Sequence, residues 1–164
     1  MTDFNEGIKQ FSGAAREFCS WCDHAHDEIP DTQYAFQALA VLSKLYASAY
    51  LLPDTDAPDA PEPPRLSDVA RNEITQRLAR LPIQYYYMFF NPGQLDDNEQ
   101  VAGDLLDDFG DIYSDVSRGL WLYDNGHVQA ATWEWRFSFG AHWGHHATDA
   151  MYALHAHEAL KGSE

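Results

Sequence analysis

The run Trp133-Glu134-Trp135-Arg136-Phe137-Ser138-Phe139-Gly140-Ala141-His142-Trp143-Gly144-His145-His146 holds three of the five tryptophans and, continued to His157, five of the eight histidines. Each ring brings the apolar surface of several methylenes, so the run belongs at the centre of a core. Periodicity decides its form. Trp143, Ala147, Ala150, Met151 and Leu154 recur at helical spacing and mark one buried face. Upstream, Trp135 and Phe139 line one side and Trp133 and Phe137 the other, which predicts a helical segment buried on two flanks. Strict alternation over these residues also suits a strand, but the helical segments on either side favour a helix. The last helix is therefore predicted from about His127 to Leu160, broken near Gly140 or Gly144.

Working outward, the longest helix precedes it, from about Asn98 to Asp124, and Asn125-Gly126 stops it. Phe4, Ile8, Phe11, Ala15, Phe18, Cys22 and Ala25 line a first helix, which Asp3 caps with Glu6 three residues on. A second helix runs from about Thr32 to Leu52. Its only charge is Lys44, which predicts a place in the middle of the bundle. Pro53 to Pro64 contains five prolines interleaved with acids, so residues 53–66 read as an extended, solvated connector within one domain. Ser67 caps a helix to about Arg80, with Val69, Ala70, Ile74, Leu78 and Leu81 inward. Residues 81–93 are apolar on all sides and closed by Asn91-Pro92-Gly93; an irregular or short helical segment on the core is the favoured reading, over an extended stretch or a surface for a partner. The fold expected is all-α: a single-domain bundle of about six helices over residues 1–164.

With 164 residues the chain can bury one sizeable core, and 26 acids against 10 bases leave a net charge of −16. That field repels phosphate backbones and anionic lipid, so neither nucleic acid nor a membrane surface is an expected partner. It favours cations and basic proteins. No apolar run approaches a membrane span, and the acidic start lacks an export signal, which points to the cytoplasm. The cysteines, Cys19 and Cys22, form a C-x-x-C pair. A redox role needs a βαβ setting, and zinc binding with His24 and His26 would crowd four ligands into eight residues. Both cysteines fall in or beside the apolar stripe of the first helix, so they read as buried structural residues.

Asp104, Asp107, Asp108, Asp111 and Asp115 lie on one arc of the longest helix, beside its apolar face. Five of their pairs are three or four residues apart, and each like-charge pair costs roughly 0.2–0.5 kcal/mol. The stripe calls for a positive neighbour: a metal ion, a partner's basic side chain, or an arginine of this chain. On the last helix His142 and His146 are one turn apart, so the two imidazoles with Asp108, Asp111 and Asp115 are the candidate divalent-metal site. Neither H-E-x-x-H nor E-x-x-H is present. The helical wheel turns His145 and Asp149 away from the core and leaves only His146 and His155 near its border. Arg136, emerging from a crowded aromatic helix, needs an acid, and an ion pair with Asp108 or Asp111 would explain both features without a ligand.

The segments Asp107-Asp108-Phe109-Gly110-Asp111-Ile112-Tyr113-Ser114-Asp115, Tyr123-Asp124-Asn125-Gly126, Trp133-Glu134-Trp135-Arg136-Phe137, His142-Trp143-Gly144 and Ala153-Leu154-His155 resemble the bacterial family catalogued as domain of unknown function 5063. The resemblance extends more weakly to Leu42–Tyr46. It implies a compact helical fold in a bacterial cytoplasmic protein and carries no catalytic residue with it. No nucleophile motif or phosphate loop is present. The expectation is a non-enzymatic binding or accessory module of inhibitor or immunity type, with no cofactor. It would hold a basic protein through Asp104, Asp107, Asp111, Tyr86 and Phe89. The alternative is a metal-binding bundle with hydrolytic or redox chemistry. The sequence leaves the oligomeric state open.

Overall fold

The computed structural model describes residues 4–96 and 99–161 of the chain. In order these form α1 (Phe4–Asp23), α2 (Asp31–Ala49), α3 (Asp68–Leu78), β1 (Tyr85–Phe89), β2 (Gln100–Asp104), α4 (Leu105–Asp124), α5 (Val128–Ser138) and α6 (Gly144–Leu160). A π-helical turn, Phe139–Trp143, joins α5 to α6 without a break, so the described residues form five helical rods. Asp3, the expected cap of α1, lies outside the described residues.

The helices follow the predicted periodicity except at Val69 of α3, expected inward and 69% exposed. Ile8, Phe11, Ala15, Phe18 and Cys22 are buried along α1, as are Ala35, Leu42, Leu45 and Ala49 along α2. Ser67 caps α3 by accepting the Ala70 N–H at 3.2 Å. α1 packs on α2 and α4, α2 on α6, and α4 on both α5 and α6, around one continuous core. Trp135 and Trp143 are fully buried at its centre, with Phe11 4.9 Å from the Trp135 ring. The Trp135 indole lies across Gly119, where any side chain would strike it, and donates to the Val116 carbonyl at 2.9 Å. Cys19 and Cys22 are free and buried, and burial pushes both thiols up in pKa. His24 and His26 engage the Ser20 and Trp21 carbonyls at the end of α1, as structural histidines do.

Three expectations are corrected. Residues 85–89 are a strand, not a helical segment, paired antiparallel with β2 in the register Tyr85↔Asp104 through Phe89↔Gln100. The fold is therefore mostly helical with a small two-stranded sheet rather than all-α. Side chains alternate along β1: Tyr86 and Met88 turn inward, while Tyr85, Tyr87 and Phe89 face out. As a consequence α4 begins at Leu105; Asn98, its expected start, lies outside the described residues. Asp104 arrives in extended conformation and caps the helix, accepting from Leu106 N at 2.9 Å. Finally, the aromatic segment is buried on one flank only. Phe137 is 59% exposed and stacks on Trp133, because α5 packs against α4 and leaves its far side to solvent. The 53–66 connector lies back on α4 and α5, where its Pro63 and Asp56 carbonyls accept from Arg118 and Gln129.

Candidate metal centre

α4 and the last rod run antiparallel, and this matches two histidines to three aspartates. Asp108, Asp111 and Asp115 stand at steps of three and four, so they form a column on one face of α4. His146 Nδ1 lies 2.8 Å from Asp108 Oδ1 at one end, and His142 Nδ1 lies 2.8 Å from Asp115 Oδ2 at the other. Asp111 sits between them, with Oδ2 3.5 Å from His146 Nε2 and 4.0 Å from His142 Nε2. The imidazole centroids are 4.8 Å apart and the rings cross at 75°.

The tautomers follow from the partners. An ionised carboxylate only accepts, so each Nδ1 has to donate. In the neutral ring Nε2 then carries the lone pair, and both Nε2 atoms face the same Asp111 oxygen. One donor atom from each of Asp111, His142 and His146 can be chosen so that all three lie within 4.8 Å of one another. Bond lengths of about 2.0–2.1 Å to a transition metal place ligands roughly 3–3.4 Å apart, a closure that side-chain rotations supply.

Two residues outside the predicted metal-site set hold this arrangement. Arg71 of α3 reaches across Gly110 and donates to Asp111 Oδ1 at 2.9 Å and Asp107 Oδ1 at 3.4 Å. A Cβ at Gly110 would crowd the guanidinium. Tyr86 of β1 lies over Gly103 of β2, and its hydroxyl donates to Asp108 Oδ2 at 2.6 Å. Asp108 and Asp111 thus each have one oxygen held by a donor and the other turned toward a histidine. Gly110 within the Asp stripe was the one sequence signal for a side chain crossing there.

The electrostatics are those of crowded, half-buried acids. The hydrogen bond to Asp108 raises the pKa of His146 against the opposing effect of burial, with Asp111 adding to the rise. Burial pushes Asp115 up, and His142 opposes it. Burial and neighbouring acids also raise Asp107 and Asp149, and burial with the bond to Asp108 raises Tyr86.

All five predicted metal-site residues therefore meet. The predicted ion pair of Arg136 with Asp108 or Asp111 does not form. Arg136 donates to the Leu52 carbonyl at 2.8 Å and lies 3.4 Å from Asp54, since the rotation of α5 points it at the connector rather than at α4. Glu134 pairs with Arg118 at 2.8 Å. Of the residues assigned to a partner, Asp104 is occupied as a helix cap, Tyr86 is turned inward to Asp108, and Asp111 is tied to Arg71. Asp107 and Phe89 remain exposed.

Fold and site together define a small, mostly helical domain with a histidine–aspartate cluster between two antiparallel helices. The chain belongs to the family described as domain of unknown function (DUF5063), whose model matches residues 2–160. Its fold is similar to the crystal structure of protein BF1032 from Bacteroides fragilis, at a TM-score of 0.75 and 20% identity, covering 94% of each chain. No curated protein sequence matches it. Among the described residues, no helix is long and apolar enough to cross a membrane.

Proposed function

We propose that this protein binds a divalent transition-metal ion, with His142, His146 and Asp111 as ligands. One observation supports this above the rest: both imidazoles give Nδ1 to a carboxylate while both present Nε2 to one shared Asp111 oxygen. A carboxylate behind each ligating histidine fixes the tautomer and raises the basicity of the donor nitrogen. Asp108 and Asp115 take that part. Two nitrogens and one carboxylate oxygen suit zinc or another first-row metal better than calcium or magnesium, and they leave coordination positions for water or a substrate.

Elemental analysis and calorimetric titration of tag-free protein with Zn²⁺ and Co²⁺ test the reading. One equivalent is expected, and the double variant His142→Ala/His146→Ala should lose it. Asp115→Asn, which keeps both ligands, should weaken binding about 10–100-fold. Stoichiometry far below one at neutral pH, or undiminished binding in the double variant, rejects the site.

A second reading has its own observation. Tyr85, Tyr87 and Phe90 are 67%, 72% and 86% exposed on the hairpin, beside Asp107 and on a chain of net charge −16. An aromatic surface in a negative field suits a basic protein partner. Its complex would weaken with salt and with Tyr87→Ser, and metal removal would leave it intact.

A further inference from the structure

The hairpin and the last rod enclose a cleft of about 720 Å³, within the size range of small-molecule sites. One wall is apolar: Met88, Phe89, Phe90, Pro92 and Val101. The other comes from the π turn and the start of α6, where His142 and His146 line it. His145, Asp104, Asp107, Asp108 and Asp149 also face it, and among the described residues no lysine or arginine does. His142 and His146 thus belong both to the cluster with Asp111 and to the wall of the cleft, whereas Asp111 itself does not line it.

We infer that this cleft admits a small neutral organic ligand, with a flat apolar body and a nitrogen donor that completes the coordination of the metal. The inference rests on the metal reading above. Three protein donors leave at least one position open, and the histidines place that position at the cleft. The aromatic and thioether wall fits a ring or alkyl body, which loses water on entering. Four carboxylates face the cleft against imidazoles as its only basic groups, which disfavours phosphates and carboxylates, so a metal-binding anion is rejected by the approach rather than by the metal. This separates the site from phosphate- or carboxylate-handling metal sites, where an arginine or lysine meets the anion.

The probe is 4-phenylimidazole, a neutral nitrogen donor with a flat apolar body, titrated into the Co²⁺-loaded full chain while the visible cobalt spectrum is followed. Saturable binding is expected, about tenfold tighter than imidazole because the phenyl group is buried. Benzoate and inorganic phosphate should leave the spectrum unchanged. Phe90→Ser alters a side chain 86% exposed at the cleft rim, so the fold is retained. Together with Met88→Ser, it should reduce the preference for 4-phenylimidazole over imidazole and leave Co²⁺ affinity unaltered. Equal affinity for the two imidazoles, or binding of benzoate or phosphate as tight as that of 4-phenylimidazole, overturns the ligand class while the metal site stands. A chain that takes up no cobalt through its histidines overturns both, and the spectrum shows this before any ligand is added.

Discussion

Two successive stretches of α4 meet adjacent parts of the same rod and are built on opposite principles. Toward α5, Val116 and Gly119 receive the Trp135 indole in a fully buried contact with a single hydrogen bond. Toward the π turn and α6, about two to three turns further along the rod, Asp108, Asp111 and Asp115 receive His142 and His146 at a half-exposed surface. The first contact excludes water and is held by area. The second is held by charge and hydrogen bonds, retains solvent access, and turns two imidazole Nε2 atoms toward one carboxylate oxygen. A bundle can carry such a polar stretch because the apolar stretch beside it supplies the stability.

Breaking the buried side has the largest effect. Trp135→Ala removes the core's central ring and its bond to Val116, and should destabilise the protein by about 3–5 kcal/mol in chemical denaturation. A loss under about 1 kcal/mol would mean the core is not centred there. Asp108→Ala comes next. It strands the Tyr86 hydroxyl and His146 Nδ1, and a loss of about 2–3 kcal/mol is expected. Asp108→Asn, which can still accept from Tyr86, should recover part of it.

A smaller, pH-dependent effect sharpens the contrast, because only the polar side titrates near neutrality. The folded pKa of His146 is raised, so its contribution to metal-free stability is full below the unfolded value of about 6.5 and disappears as pH rises through the folded value. The stability difference between wild type and His146→Gln, about 1 kcal/mol in acid, should therefore shrink on going from pH 6 to 8. Metal binding has the opposite slope, since the ion displaces that proton and binds more tightly as pH rises. A difference independent of pH would count against the His146–Asp108 pair. The smallest effect belongs to Phe137→Ser, within about 0.5 kcal/mol, although Phe137 lies in the same aromatic run as Trp135. A larger loss would show that the far flank of α5 is covered.

Much of this was legible in the residues. Helical spacing marked the buried face of each long helix, the irregularity expected near Gly140 or Gly144 is the π turn Phe139–Trp143 rather than a break, and the Asp column and the His142/His146 pair were set out as candidate partners. The hairpin was not legible. Its alternation covers five residues, its two strands are ten residues apart, and β2 carries an apolar residue, Val101, that also fits the stripe of α4. Pairing of this kind is non-local, and local pattern scores it poorly. Arg136 was assigned to the Asp column because a charge emerging from a crowded aromatic helix needs an acid and the column is the nearest rich supply, but the cation that reaches the column is Arg71, from a different helix.

By itself, the sequence determined which side chains share a helical face, because a helix turns by about 100° per residue whatever surrounds it. It thereby determined that three aspartates form one column and that two histidines lie one turn apart. Only the tertiary structure decided that the column faces the histidines rather than Arg136, that Arg71 and Tyr86 hold the outer carboxylate oxygens, and that a hairpin walls the cleft. Those outcomes depend on how whole helices rotate and slide as their cores interlock, and no stretch of the chain encodes that rotation alone.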